Sequence, residues 1–316
     1  MLVRETIACA NQKGGVGKTT TVVNLATYLA LDGRRVLVLD LDPQGNATSG
    51  LGVDRSSLEA TAYDAIVDGR PIGELIVHTS TKGLDLVPSA IGLAAVEVEL
   101  VTTAQRERRL ARALDGVMEG YDLVFIDCPP SLGLLTVNAL TAADAVLIPL
   151  QSEYYALEGL GQLLATTELV RDNLNPSLVV DGVVLTMFDA RTRLSADVAE
   201  EVRRHLGPRV YETVIPRSIR LSEAPSYGQA IATYSPDSRG ASAYQALADE
   251  FLRRRAEASP RDRSTRVDVM PSTPAHPPSP EAPDADQRSD SARVPPSDAL
   301  APDESSRSIP SMEAVA

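Results

Sequence analysis

Residues 5–20 read ETIACANQKGGVGKTT, and the fold is decided there. Thr6–Ala10 is an apolar run with strand character, a glycine-rich loop follows it, and a helical pattern begins near Thr19. That strand–loop–helix order is what a phosphate cradle requires. Gly14, Gly15 and Gly17 let the backbone turn without Cβ clashes, so the N–H groups around Val16 can converge as an anion nest. The helix behind the loop adds the positive end of its dipole to the same spot. Lys18 offers a point charge to β- and γ-phosphates, Thr19 a hydroxyl to Mg²⁺, and Thr20 a hydrogen bond to an α-phosphate oxygen. Mg-ATP is the expected ligand.

Working outward, strand-like and helix-like segments alternate over about the first 255 residues, which predicts an α/β fold: a mostly parallel twisted sheet with helices on both faces. The expected strands are Thr6–Ala10, Arg35–Leu41, Leu84–Val87, Asp122–Asp127, Ala145–Leu150, Val179–Met187 and Tyr211–Ile215. Runs such as Val36–Leu39 and Leu123–Ile126 are apolar throughout, as strands covered on both faces must be. Helices are expected at Thr19–Leu31, Arg106–Met118, Gly159–Asn173, Ser195–His205 and Ala241–Arg255. The last places Tyr244, Leu247, Ala248, Phe251 and Leu252 on one stripe that docks on the domain.

From Ala258 the composition changes. Eleven of the 22 prolines fall in residues 258–316, with Ser, Asp and Ala filling most of the rest. Such a stretch buries too little apolar surface to offset its chain entropy, so a disordered acidic tail is expected after a domain at 1–257. The tail holds six Arg against ten Asp or Glu, a net of −4, which leaves −9 of the total −13 on residues 1–257. An acidic domain contacts nucleic acid only through a local basic patch. Cys9 and Cys128 sit in apolar runs and read as buried hydrophobes of a reducing compartment. No signal peptide opens the chain and no apolar run approaches a membrane span, so a cytoplasmic protein is expected.

Leu123–Asp127 is an apolar strand ending in a carboxylate, and Asp127 is placed to hold Mg²⁺ through a water. One departure within the loop is informative. The general pattern G-x-x-x-x-G-K-[ST] would set its first glycine at position 12, where this chain has Gln12 followed by Lys13. In this deviant form the chain resembles the ParA/MinD class of P-loop ATPases. The resemblance implies that Lys13 reaches across a homodimer interface to the other subunit's nucleotide, where two triphosphates concentrate negative charge. It also implies that Asp42 positions or deprotonates the attacking water, while Asp40 supports the Mg²⁺ shell or the loop.

Longer stretches, DLDPQGNATSGLG at 40–52, DCPPSLGLLTVNAL at 127–140, EYYALEG at 153–159, LTMFDARTRL at 185–194 and VIPRSIRLSEAPS at 214–226, are similar to the chromosomal ParA (Soj) branch. What that branch implies is a slow ATPase, dimeric with ATP, that coats the nucleoid by binding double-stranded DNA without sequence preference. A ParB-type centromere-binding protein then triggers hydrolysis and release. Arg191 and Arg220 match the branch's basic DNA contacts, with Arg193, Arg203, Arg204 and Arg217 as plausible neighbours. Pro216 is expected to pack on adenine with Ser218 beside it, although the branch often carries Asn at that second position. The alternative is a membrane-associated MinD-like regulator of division positioning. That reading needs an amphipathic, basic C-terminal helix, and this terminus is Pro-rich and acidic.

Overall fold

The computed structural model describes residues 4–153 and 156–257. Its strands are β1 (Glu5–Cys9), β2 (Val36–Asp40), β3 (Val77–His78), β4 (Leu84–Val87), β5 (Leu123–Asp127), β6 (Ala145–Gln151) and β7 (Val179–Thr186). They form one sheet in the order β3-β4-β2-β5-β1-β6-β7, parallel throughout except for β3 against β4. β1, β2 and β5 are buried along their whole length. Alternate residues feed two apolar clusters, so that Ala8, Leu37 and Ile126 point to one face while Ile7, Val38 and Phe125 point to the other.

The helices are α1 (Lys18–Leu31), α2 (Asn46–Gly50), α3 (Val96–Glu99), α4 (Arg109–Ala113), α5 (Leu134–Ala142), α6 (Ala156–Asn173), α7 (Arg193–Leu206), α8 (Ile219–Glu223), α9 (Ile231–Tyr234) and α10 (Arg239–Glu257). α10 docks as its stripe predicts: Tyr244, Leu247, Ala248 and Phe251 are buried, and Leu252 packs at their margin. The Tyr244 hydroxyl lies 3.2 Å from Thr21 Oγ1 on α1. At the far end Arg255 is buried between Glu5 and Asp181, at 2.6 and 2.8 Å, so the helix is pinned to both β1 and β7. Paired in this way, a buried charge is tolerated; removing one partner would strand the other.

Two expectations need correction. Tyr211–Ile215 is not a strand: its two ends touch β7, through bridges of Val210 and Pro216 to Val183 and Phe188 and single bonds from Tyr211 N–H to Val183 O and Ile215 N–H to Leu185 O, but its middle does not pair. Between them the Glu250 carboxylate accepts the N–H groups of Glu212 and Thr213, both at 2.8 Å, and draws the chain off the sheet edge. The helix expected over Arg106–Met118 is broken into 3-10 and α pieces, the last of which is set apart by Gly116 with its left-handed φ of 79°. β3 and α5 are additional elements. The Pro-rich tail lies outside the described residues. Among the described residues, no helix is long and apolar enough to cross a membrane.

Candidate nucleotide site

The loop between β1 and α1 has the backbone that its glycines permit. Gly15 and Gly17 take left-handed φ angles of 74° and 89°, which a side chain would strain. Two side chains hold the loop from outside. Asn11 Nδ2 donates to Pro149 O at 2.8 Å, while Asn11 Oδ1 accepts the Lys13 N–H at 3.0 Å. From the end of β7, Thr186 Oγ1 donates to Val16 O at 2.7 Å. Sequence reasoning did not single out Thr186, although it stands inside the LTMFDARTRL stretch.

The two lysines of the loop go in opposite directions. Lys18 is buried and its ammonium donates to Lys13 O at 3.1 Å, curled into the cradle. Lys13 turns outward, with Nζ 2.8 Å from Glu153 Oε2 and both side chains about half-exposed. Gln151 Nε2 holds the other Glu153 oxygen. Lys13 also lines an open cavity of about 500 Å³ with Gln12, Pro130, Ser131, Leu132 and Glu158.

Three carboxylates converge behind the loop, because β2 and β5 are neighbours in register with Asp40 opposite Asp127. Asp40 is fully buried and accepts Thr48 N–H at 2.8 Å, Thr48 Oγ1 at 2.7 Å and Asp42 N–H at 3.2 Å. Burial pushes its carboxyl up to about 6 against those hydrogen bonds. Asp42 Oδ1 accepts the Gln44 N–H at 2.9 Å, which fixes the turn through Pro43.

Asp127 is the outlier. It is fully buried, and neither oxygen has a hydrogen bond of standard geometry. Burial, and then the nearby Asp40 charge, push its carboxyl well up, with Thr19 and Lys18 acting in the opposite direction. A buried carboxylate left without partners costs free energy unless a cation or donor compensates it. No group of three or more His, Cys, Asp or Glu among the described residues is arranged to hold a metal by itself. A Mg²⁺ ion that keeps several waters and takes substrate phosphates fits this corner: it needs only the Thr19 hydroxyl and the Asp127 carboxylate from the protein.

Beside α1 a cavity of about 460 Å³ is lined by Thr19, Thr20, Thr186, Pro216, Arg217 and Ser218, among others. Residues far apart in sequence, the phosphate loop and the Pro216–Ser218 segment, therefore share one pocket of a size suited to a nucleoside. Arg217 belongs to this pocket, a place its expected role as a neighbour of the DNA contacts did not foretell. Cys9 and Cys128 are buried on opposite faces of the sheet, and burial raises both thiols.

Arg191 and Arg220 sit at the same end of the sheet, whereas Arg203 and Arg204, expected as their neighbours, lie in the last turn of α7, away from them. The Phe188–Pro216 bridge and the Arg217 N–H to Phe188 O bond, 3.2 Å, bring the loop before α7 beside the segment leading into α8. Arg191 is 88% exposed and forks onto Asp189 at 2.9 and 2.7 Å. Those bonds hold the Asp189 carboxyl down at about 2. Arg220 pairs with Glu223 at 2.9 Å, Arg193 lies 3.8 Å from Asp197, and Arg204 contacts Glu200 and Glu201 on α7. Arg203 is exposed on the same helix.

Residues 4–180 match a family model described as an AAA domain. The chain is 57% identical over 244 residues to the sporulation initiation inhibitor protein Soj of Bacillus subtilis, covering 77% of this chain and 96% of that one. It is 51% identical over 263 residues to the chromosome partitioning protein ParA of Caulobacter vibrioides, covering 83% and 97%. Among solved structures, cobyrinic acid a,c-diamide synthase from Mycobacterium smegmatis, with bound ATP analog and magnesium, is 40% identical with a TM-score of 0.71, over 80% of this chain and 95% of that one. The cell division ATPase MinD of Pyrococcus furiosus is 25% identical with a TM-score of 0.66, over 79% and 99%.

Proposed function

The chain belongs to the Soj/ParA family of chromosome-partitioning ATPases, and we propose that it is an ATP-gated switch that binds DNA as a dimer and is reset by hydrolysis. The observation that carries this reading is the divergence of the two lysines: Lys18 fills its own cradle while Lys13 faces out over an open surface. A cation so placed serves a second nucleotide better than its own.

In this reading the N–H groups around Gly14, Gly15, Val16 and Gly17 hold the β-phosphate, and Lys18 bridges β- and γ-oxygens. Thr20 bonds the α-phosphate, Pro216 packs on adenine, and Ser218 lies at the edge of the base. Mg²⁺, when bound, would neutralise phosphate charge; Thr19 and, through a water, Asp127 would hold it, while Asp40 holds the neighbouring loop through Thr48 and Asp42. Asp42, fixed through Gln44, orients the attacking water and takes its proton. Lys13 leaves Glu153 and meets the triphosphate of the second copy, so two filled sites join the subunits. Hydrolysis removes the charge that holds Lys13, and the dimer loosens.

Dimerisation doubles the number of arginines on one surface. Each phosphate neutralised lowers log K by about 0.9 per log unit of salt, so doubling the contacts roughly squares the electrostatic gain. Arg191 and Arg220 exchange Asp189 and Glu223 for DNA phosphates, and their forked guanidinium suits both partners. Binding without sequence preference would place the protein on the nucleoid within the cytoplasm. A ParB-type centromere-binding protein would accelerate the slow hydrolysis. The test is co-sedimentation with double-stranded DNA over a salt series. Tight, steeply salt-dependent binding is expected with ATP and little with ADP; equal binding in both states would contradict the switch.

A further inference from the structure

Residues 91–99 fold as a 3-10 turn, Ile91–Ala95, that runs into α3, and Leu100 and Val101 form the turn that follows. One side of this segment is core: Leu93, Val96 and Leu100 are buried. The other side is bare. Ile91, Val98 and Val101 are 73%, 76% and 63% exposed, and the small residues Ala94 and Ala95 lie exposed between them. Spacings of seven and three put the three large side chains on one helical face. A single exposed aliphatic is ordinary, but a contiguous stripe of them marks a surface that is covered in the working state.

The carboxylates that could have interrupted this stripe are engaged with the protein. Glu97 accepts the Leu134 N–H at 2.8 Å, and Glu99 accepts the Tyr63 hydroxyl at 2.7 Å. The first bond also locates the stripe. It sets the segment against the Ser131–Leu134 loop, of which Ser131 and Leu132 line the open cavity together with Lys13. Stripe and outward lysine are thus one loop apart.

We propose that the stripe of Ile91, Val98 and Val101 is the apolar part of the dimer contact, covered by the same stripe of a second copy of this chain. The inference rests on the dimer proposed above. A two-fold interface is self-complementary, so an apolar strip near the axis meets itself and needs no matching groove elsewhere. DNA is a poor occupant, because Glu97 and Glu99 flank the strip and no arginine lies among residues 91–101. The strip gives the dimer a salt-insensitive component alongside the salt-sensitive contact of Lys13 with triphosphate.

The test replaces Ile91, Val98 and Val101 by Ser, singly and together; all three are exposed, so the monomer loses no core. Affinity for a fluorescent ATP analogue is measured in dilute monomer, and the dimer dissociation constant by sedimentation with a slowly hydrolysed ATP analogue. The expected result is nucleotide affinity within twofold of wild type and a dimer constant at least tenfold weaker in the triple variant, with a smaller loss in Val98→Ser alone. If wild type dimerises and the triple variant does so equally well, the stripe is not in the interface and the inference is overturned while the dimer reading stands. It is equally overturned if the variants dimerise normally but lose stimulation by a centromere-binding protein. Wild type that stays monomeric would overturn the dimer reading itself.

Discussion

Replacing Glu153 by glutamine removes the charge that holds Lys13 in its own subunit while keeping the size of the side chain. The Lys13–Glu153 contact is 2.8 Å, but the side chains are 40% and 47% exposed, so solvent screens it heavily. A pair of that kind contributes about 0.2–1 kcal/mol. Releasing it favours the outward, donated lysine by roughly 1.4- to 5-fold per subunit. A dimer breaks two such contacts, so its association constant should rise by the square, roughly 2- to 30-fold. Asn11 fixes the Lys13 backbone independently, so the loop itself is undisturbed. Sedimentation velocity across a titration with a slowly hydrolysed ATP analogue reads the effect directly. The gain should shrink as salt rises, because screening weakens the contact in the wild type too. Dimerisation that is unchanged or weaker in Glu153→Gln at low salt would refute the idea that Glu153 restrains the lysine.

Asp127→Asn should melt a few degrees above wild type without nucleotide, by scanning calorimetry, and should lose the Mg²⁺-dependent part of ATP affinity. The sign follows from burial: a carboxyl raised in the folded state stabilises the protein below its unfolded value and loses that contribution as pH rises through its folded value, so the advantage of Asn grows with pH. Thr186→Val leaves Val16 O without its donor at a cost of about 1–3 kcal/mol, shared between fold stability and ATP affinity, whereas Thr186→Ser keeps the bond and should restore most of both; calorimetric titration separates the two. The Asp85 carboxylate, 2.7 Å from His78, raises that imidazole above its ordinary 6.5, so its NMR titration midpoint should exceed that value and fall in Asp85→Asn. Its contribution to stability is present below the unfolded pKa and disappears as pH rises through the folded one.

Much of the site was legible because a phosphate cradle has a local signature: glycines, a lysine and a hydroxyl at fixed spacing between a strand and a helix. The apolar runs of β1, β2 and β5 were legible for the same reason, since a strand buried on both faces has almost no sequence freedom. What escaped depends on contacts distant in sequence. Tyr211–Ile215 has strand composition, and only Glu250, 37 or more residues away, draws it off the edge. β3 is two residues long and carries no period. α5 follows the Pro-Pro pair and is short, with Thr136, Asn138 and Thr141 spread around it, so no amphipathic stripe announced it. Thr186 and Arg217 reach the pocket only because β7 ends beside the phosphate loop, and the exposed stripe on 91–101 is invisible until its opposite face is known to be buried. Gly116 is a clear breaker, but it sat inside a helical pattern that read more strongly.

The most direct test of the account is the mass of the protein in solution at saturating Mg²⁺ with ADP and with a slowly hydrolysed ATP analogue, for wild type and Lys13→Ala. The expected result is a doubling of mass for wild type with the ATP analogue alone, and none for Lys13→Ala although it still binds nucleotide. A wild type that stays single with the analogue, or a Lys13→Ala variant that pairs as readily, would contradict it.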